Sequence, residues 1–241
     1  VMESSYPFKK PNKDFGDTLL NRIYEVGRRT LELCAHEHYE DCPWREQALY
    51  GMDSRNQMLF GYGAFDEYEY PRAAIKLMAR SMRKDGFLQL CSPSETPITI
   101  PSFTAYWLIA IAENAKADYN AEFVAEMLPY AEKSLRAFID NTDGEGVGIF
   151  VKTPFWNFHE WSDGLMGWSI FREKELPPAV DCNLTMLVYI AAKGIVELME
   201  RQNYKGAEVY KNYYERLSRI IPSFLDKEKM LYASYVKDGE K

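Results

Sequence analysis

Histidine is scarce in this sequence: His36, His38 and His159 are the whole supply in 241 residues. A metal centre built on imidazole is therefore not expected, and no Cys–His nucleophile pair has a motif behind it. The four cysteines, Cys34, Cys42, Cys91 and Cys182, form no CxxC pair and no zinc spacing. They read as free buried thiols, and no metal or cofactor is expected. Positive charge is also short. Lys and Arg number 29 against 36 Asp and Glu, a net charge of −7. Such a surface repels phosphate backbones and argues against a nucleic-acid partner. No apolar run reaches the roughly 18 residues that cross a bilayer, so no membrane partner is expected. The opening stretch Val1–Asn12 is polar, carries two prolines and lacks the form of a signal peptide. A start at Val rather than Met suggests a piece of something longer. The compartment stays open between cytoplasmic and periplasmic or secreted.

What is present is an ordinary globular balance, 46% hydrophobic and 27% charged. The aromatic share is 15%, with 17 Tyr and 5 Trp. Aromatic rings fill cores and interfaces, and they also stack on sugar rings; composition leaves both uses open.

Helical periodicity dominates the chain. Asp14–Tyr39 reads as one long helix, with Leu19, Leu20, Ile23, Val26, Leu31 and Cys34 near helical spacing. A dense loop, Glu40–Asp53, follows. Ser54–Tyr68 is a second helix with Asp53 or Ser54 as its cap. Pro71–Lys84 is a third, with Pro at its start and Gly86 just past its end. Phe87–Pro101 is a proline-rich loop, and Ser102–Ala117 a buried helix in which Trp107 belongs to the core. Asn120–Asp140 is capped by Asn120 and interrupted by Pro129, so a kink or break is expected near Leu128. Asn141–Gly148 is a turn. Ile149–Pro178 lacks helical periodicity and carries Trp156, Trp161 and Trp168. Asp181–Arg201 and Tyr204–Leu225 complete about seven helices. No repeat of 20–50 residues is evident. Residues 1–241 read as a single all-α domain of antiparallel hairpins, with two long loops of the kind that carry function.

The first long loop holds Asp41-Cys42-Pro43-Trp44-Arg45-Glu46-Gln47-Ala48-Leu49-Tyr50-Gly51-Met52-Asp53. Glycoside hydrolysis needs one carboxylic acid to protonate the leaving oxygen and a second carboxylate to activate water or attack the sugar. A loop with Asp41, Arg45, Glu46 and Asp53 can supply such groups, and Pro43 stiffens its backbone. A structural alternative is equally concrete. Pro43 starts a short helix, Glu46 serves its dipole and Arg45 pairs with Asp41.

The string Asp41-Cys42-Pro43-x-Arg45-Glu46 closing on Asp53 resembles the catalytic-loop motif of family 78 glycoside hydrolases, the bacterial α-L-rhamnosidases. The resemblance continues through Ser54-Arg55-Asn56-Gln57-Met58, Pro101-Ser102-Phe103, Trp107 and Phe158-His159-Glu160-Trp161. It implies an (α/α)6 barrel, a six-hairpin toroid of twelve helices. It implies that Glu46 is the general acid of an inverting hydrolase releasing terminal α-L-rhamnose. Asp41, Arg45 and Asp53 would line the sugar site. Tyr50 would stand where the family often has Trp. Trp161 would lie against the sugar, and Glu160 would replace the family's Asp. The partner implied is a rhamnose-containing oligosaccharide or glycoside.

Two departures qualify this picture. The family's general base sits in a Trp-Glu-Arg-Trp-like stretch near the barrel's end, and no such stretch occurs here. About seven helices are also fewer than twelve. The chain is thus expected to hold the N-terminal two-thirds of a barrel. A non-catalytic sugar-binding toroid, or an (α/α)6 hydrolase for another sugar, are the alternatives.

Elsewhere, Asp66, Glu67 and Glu69 read as a solvated acidic face. Arg80, Arg83 and Lys84 complement the end of their helix. Glu160 and Asp163 flank Trp161 as surface or substrate-facing groups, and His159 is either a plain loop residue or a hydrogen-bond partner for a sugar.

Overall fold

The computed structural model describes residues 3–4, 6–94, 96–152, 154–167 and 179–241; Trp168 lies outside them. Among the described residues there are seven α-helices: α1 Thr18–Leu33, α2 Gly51–Phe65, α3 Glu69–Arg80, α4 Pro101–Ala117, α5 Ala121–Asp140, α6 Cys182–Arg201 and α7 Ala207–Ile220. Six two-residue strands form three antiparallel pairs. β1 (Leu49–Tyr50) pairs with β2 (Cys91–Ser92), β3 (Val180–Asp181) with β6 (Tyr235–Val236), and β4 (Leu225–Asp226) with β5 (Leu231–Tyr232).

The helices lie in two layers. α2, α4 and α6 pack side by side as an inner layer. α3 and α5 lie behind α4, α7 lies behind α6, and α1 packs on α2. These hairpins make up part of an (α/α)6 toroid, as the resemblance implied. α4 has neighbours on several sides, which is why it is apolar nearly all round. Trp107, Leu108, Ala105 and Ile111 are completely buried. Each fully buried Leu or Ile contributes roughly 1.5–3 kcal/mol relative to exposure. Two glycines let the inner layer close. A Cβ on Gly51 would sit 2.5 Å from the Phe103 carbonyl oxygen, and one on Gly194 would sit 2.7 Å from the Ala112 Cβ.

The inner helices all begin at one end. β1, just before α2, pairs with β2 in the loop before α4. Thr99, also in that loop, bridges Phe155, and Val180 bridges Gly148 in the segment before α6. The three inner N-termini thus share one loop-covered face, with their positive dipole ends turned to it.

Several boundaries differ from the sequence expectation. α1 starts at its cap Asp17, whose carboxylate accepts from the Leu20 amide, and stops at Leu33 rather than Tyr39. The chain folds back there because the Glu40 amide donates to the Cys34 carbonyl at 2.8 Å. α2 begins at Gly51 behind Tyr50, so neither Asp53 nor Ser54 is its cap; Asp53 lies in its first turn. α3 ends at Arg80. Only Arg80 of the three basic residues is in the last turn, and Arg83 pairs with Asp85 at 2.6 Å. Gly86 belongs to a later turn instead, with φ +93, and a Cβ there would sit 2.7 Å from the Lys133 carbonyl oxygen. The acidic face is also not simply solvated. The Glu67 carboxylate accepts from the Glu69 and Tyr70 amides, and Glu69 pairs with Arg72. Pro129 breaks nothing: α5 runs from its Asn120 cap to Asp140. α7 closes at Ile220 and passes into a 3-10 turn, Ile221–Phe224.

Two further expectations need amendment. α6 has 20 residues and a mean hydropathy of 1.4 over its best window, enough by length and composition to cross a membrane. Buried core helices meet the same measure, and 61% of that window is buried within the protein. Of the free cysteines, Cys34 and Cys182 are buried, while Cys42 and Cys91 are partly exposed.

Candidate active site

The loop ahead of α2 is closed by one aspartate. The Asp41 amide donates to the Ala48 carbonyl at 3.1 Å, and the Ala48 amide returns a bond to Asp41 Oδ1 at 2.9 Å. Residues 42–47 therefore project as a compact lobe. Pro43–Glu46 is a turn and no helix starts there. Gln47 adopts φ +52, and its side-chain amide donates to the Pro43 carbonyl at 3.3 Å. Trp44 is 83% exposed at the lobe's tip. Arg45 is exposed and has no ion-pair partner among the described residues; its pairing with Asp41 is not found.

Glu46 is exposed. It is not unrestrained, because the Tyr50 hydroxyl donates to its Oε2 at 2.7 Å. Burial raises the Tyr50 phenol, and the hydrogen bond and charge of Glu46 raise it further. Burial is also the main cause of the raised Asp53 carboxyl; its own backbone amide opposes the rise, and the Asp41 and Glu46 charges add to it. The charges of Asp41 and Glu46 thus reach the partly buried Asp53 at the start of α2, and its carboxyl is raised above its ordinary range.

An aromatic path links this group to the second long loop. Tyr50 meets Phe103 edge-on at 5.9 Å. Phe103 shares a small cluster with Ile100 and Phe158, against which Tyr50 and Trp156 also pack. Trp161 lies 4.9 Å from Phe158 and 5.7 Å from Trp156. Trp161 is nevertheless 72% exposed, a ring backed by rings with a face left free. Glu160 is exposed, and its carboxylate accepts from the Trp161 amide at 2.6 Å.

Other residues at this end make contacts that sequence reasoning did not pair. Asp181 is 1% exposed and caps α6 through Oδ1, which accepts from the Leu184 amide at 2.9 Å. Its Oδ2 binds His159 Nε2 at 2.7 Å. Ser102 opens α4 and donates to the Phe158 carbonyl at 3.1 Å, tying the two loops together. Deeper along the inner layer, Arg55 Nε donates to Glu113 Oε2 at 2.8 Å, bridging α2 and α4. The cap at Asp181 was legible as a helix start. Its pairing with a histidine 22 residues away was not, and no spacing marks the Arg55–Glu113 bridge.

Antiparallel helical hairpins in two layers, with carboxylates and bare aromatic rings gathered where the inner helices begin, define the class of six-hairpin toroid glycosidases. Comparisons with known proteins sharpen this. Residues 15–235 match the bacterial alpha-L-rhamnosidase 6 hairpin glycosidase domain, and the chain belongs to that family. Among solved structures, the GH78 family rhamnosidase of Bacillus sp. GL1 aligns with TM-score 0.79 and 23% identity, over 98% of this chain and 24% of that one. The rhamnosidase from Klebsiella oxytoca with rhamnose bound aligns with TM-score 0.73 and 19% identity, over 98% and 44%. The Streptomyces avermitilis alpha-L-rhamnosidase complexed with L-rhamnose gives 0.71 and 14%, over 92% and 20%. These likenesses establish the shared fold. The chain spans less than half the length of each. Comparison with curated proteins gives no match.

Proposed function

We propose that this protein hydrolyses terminal α-L-rhamnosides with inversion, and that Glu46 is its general acid. The observation that carries the reading is the Tyr50–Glu46 hydrogen bond within a trio of carboxylates at the start of α2. A carboxyl that donates a proton in the transition state must be aimed as well as protonated. The Tyr50 hydroxyl fills Oε2 as a donor, so Oε1 is left as the oxygen that can carry the acidic proton. Asp41 and Asp53 are acceptors for sugar hydroxyls. Arg45, Tyr50, Glu160 and Trp161 line the same mouth, with the free face of Trp161 offered to the ring.

Inversion requires a second carboxylate, about 6.5–9.5 Å from the acid, to activate water. We assign that role to a part of the toroid not formed by these residues, which supply the N-terminal two-thirds of the barrel. The substrate is a rhamnose-containing glycoside, as the sugar held by two of the similar structures suggests. The exposure of Glu46 favours one competitor: a toroid that holds the sugar without cleaving it.

The two readings part on experiment. The full-length protein should hydrolyse an aryl α-L-rhamnoside and release β-rhamnose first, seen by proton NMR during turnover. Glu46→Gln should lose activity most on substrates with poor leaving groups. Rhamnose binding by calorimetry without any hydrolysis would leave the binding module as the answer.

A further inference from the structure

Beside the Glu46 loop lies a concavity that the reading above does not use. A cavity of about 350 Å³ opens between the first turns of α4 and α6. Ser102, Tyr106, His159 and Asn183 give it polar groups, and Leu165, Met186, Leu187 and Ile190 give it an apolar wall. It adjoins the carboxylate loop through two consecutive residues: Ser102 lines the cavity, and Phe103 touches Tyr50, which holds Glu46.

His159 is the built feature of this cavity. Its Nε2 is 2.7 Å from Asp181 Oδ2, and Asp181 is itself 1% exposed. With the Asp181 carboxylate as acceptor, Nε2 is the donor of this bond. In that tautomer of the imidazole, Nδ1 is an acceptor. Nδ1 has no hydrogen-bond partner among the described residues. The Asp181 carboxylate divides its oxygens, Oδ1 to the cap of α6 and Oδ2 to the His159 ring, whose orientation it thereby sets. An acceptor on a ring that lines a cavity with an apolar wall suits a neutral ring with hydroxyls on one side and C–H groups on the other. It does not suit an anion.

We propose that His159, braced by Asp181, is a sugar-binding residue that accepts a hydrogen bond from a ring hydroxyl at Nδ1 in this cavity. The proposal rests on the rhamnoside reading for the identity of the ring. Two substitutions separate a binding role from a merely structural one. Asn places an amide near Nδ1 and abandons Asp181; Gln places one near Nε2 and leaves the Nδ1 position empty. Calorimetry with L-rhamnose on the full-length protein is the measurement, with thermal melting to show that each variant is folded. His159→Gln and His159→Ala should bind about tenfold more weakly, the loss of roughly one hydrogen bond. His159→Asn should recover most of the affinity even if it melts earlier. Native-like binding by His159→Gln, or recovery by Gln and not by Asn, overturns the proposal and leaves His159 as a brace for α6. If the unaltered protein binds no rhamnose, both this proposal and the rhamnoside reading fail together. If it binds rhamnose and His159→Gln binds equally well, only this one fails.

Discussion

Trp107 and Trp161 mark two regions that use the same residue types in opposite ways. Trp107 stands midway along α4, fully buried, with its indole N–H donated to the Ile75 carbonyl at 3.0 Å. Trp161 stands on a loop, backed by Phe158 and Trp156 and open on its other side. The same contrast holds for charge. In the packed region Arg72 is 3% exposed and fully employed, by Asn114, Asp118 and Glu69. In the loop before α2 and its first turn, Arg45 and Glu46 are exposed, and Asp53 is held above its ordinary range by burial and by neighbours of its own sign. Satisfied groups stabilise the fold. Groups left unsatisfied, bare or mutually repelling are the ones available to a ligand, and they cost stability where they stand.

Substitutions should therefore sort by region, and the largest effects test the division most sharply. Glu46→Gln should lower turnover of rhamnosides with poor leaving groups by about 10²–10⁴-fold, the range for losing a general acid. Its melting temperature should not move, because the side chain is exposed. A large fall in melting temperature would place Glu46 among the structural groups and break the comparison. Trp107→Ala should do the reverse, costing about 3–5 kcal/mol in urea unfolding through an unfilled core site. Gly51→Ala should cost about 1–3 kcal/mol, because the new methyl meets the Phe103 carbonyl. Since Gly51 joins the motif to α2, this change should also reduce activity, and it would locate where the two regions meet. Trp161→Ala should weaken rhamnose binding by about 0.5–1.5 kcal/mol, the scale of one aromatic contact, with no loss of stability.

The smallest effect carries a sign. A carboxyl raised in the folded state binds its proton more tightly there than in the unfolded chain. Stability on this account is greatest in acid and falls as pH rises from the ordinary carboxylate range through the raised value. Asp53→Asn removes that penalty. It should melt higher than the native protein at neutral pH, with the difference vanishing in acid, while rhamnose binding is lost. A variant that melts lower at neutral pH would mean that Asp53 is a structural group after all.

Much of this was legible from residue order alone, and the limits are physical. Asn120 and Asp181 were readable as helix starts because a cap acts within three residues, through the Phe123 and Leu184 amides. The end of α1 was misjudged because its apolar spacing runs on to Cys34, while the reversal depends on the Glu40–Cys34 backbone bond. Asp53 was misread as a cap because the true start of α2 is set by how closely Gly51 approaches α4. Its role as a carboxylate under repulsion came into view only when burial was known. The motif brought Asp41, Glu46, Tyr50 and Asp53 into consideration together, since they lie within one loop. Trp161 entered only by resemblance, and its link to Tyr50 runs through Phe103 and Phe158, neither of which spacing could have paired.

By itself the sequence determined the helices, their apolar faces, the acidic surface and the loop in which carboxylates crowd. These depend on neighbours a few residues away, and a periodic pattern states them outright. Tertiary structure alone decided that the three inner helices begin on one loop-covered face, that burial raises the Asp53 carboxyl, and which histidine met a buried aspartate. Those outcomes depend on desolvation and on contacts between distant segments, and both come into being only when the chain closes on itself.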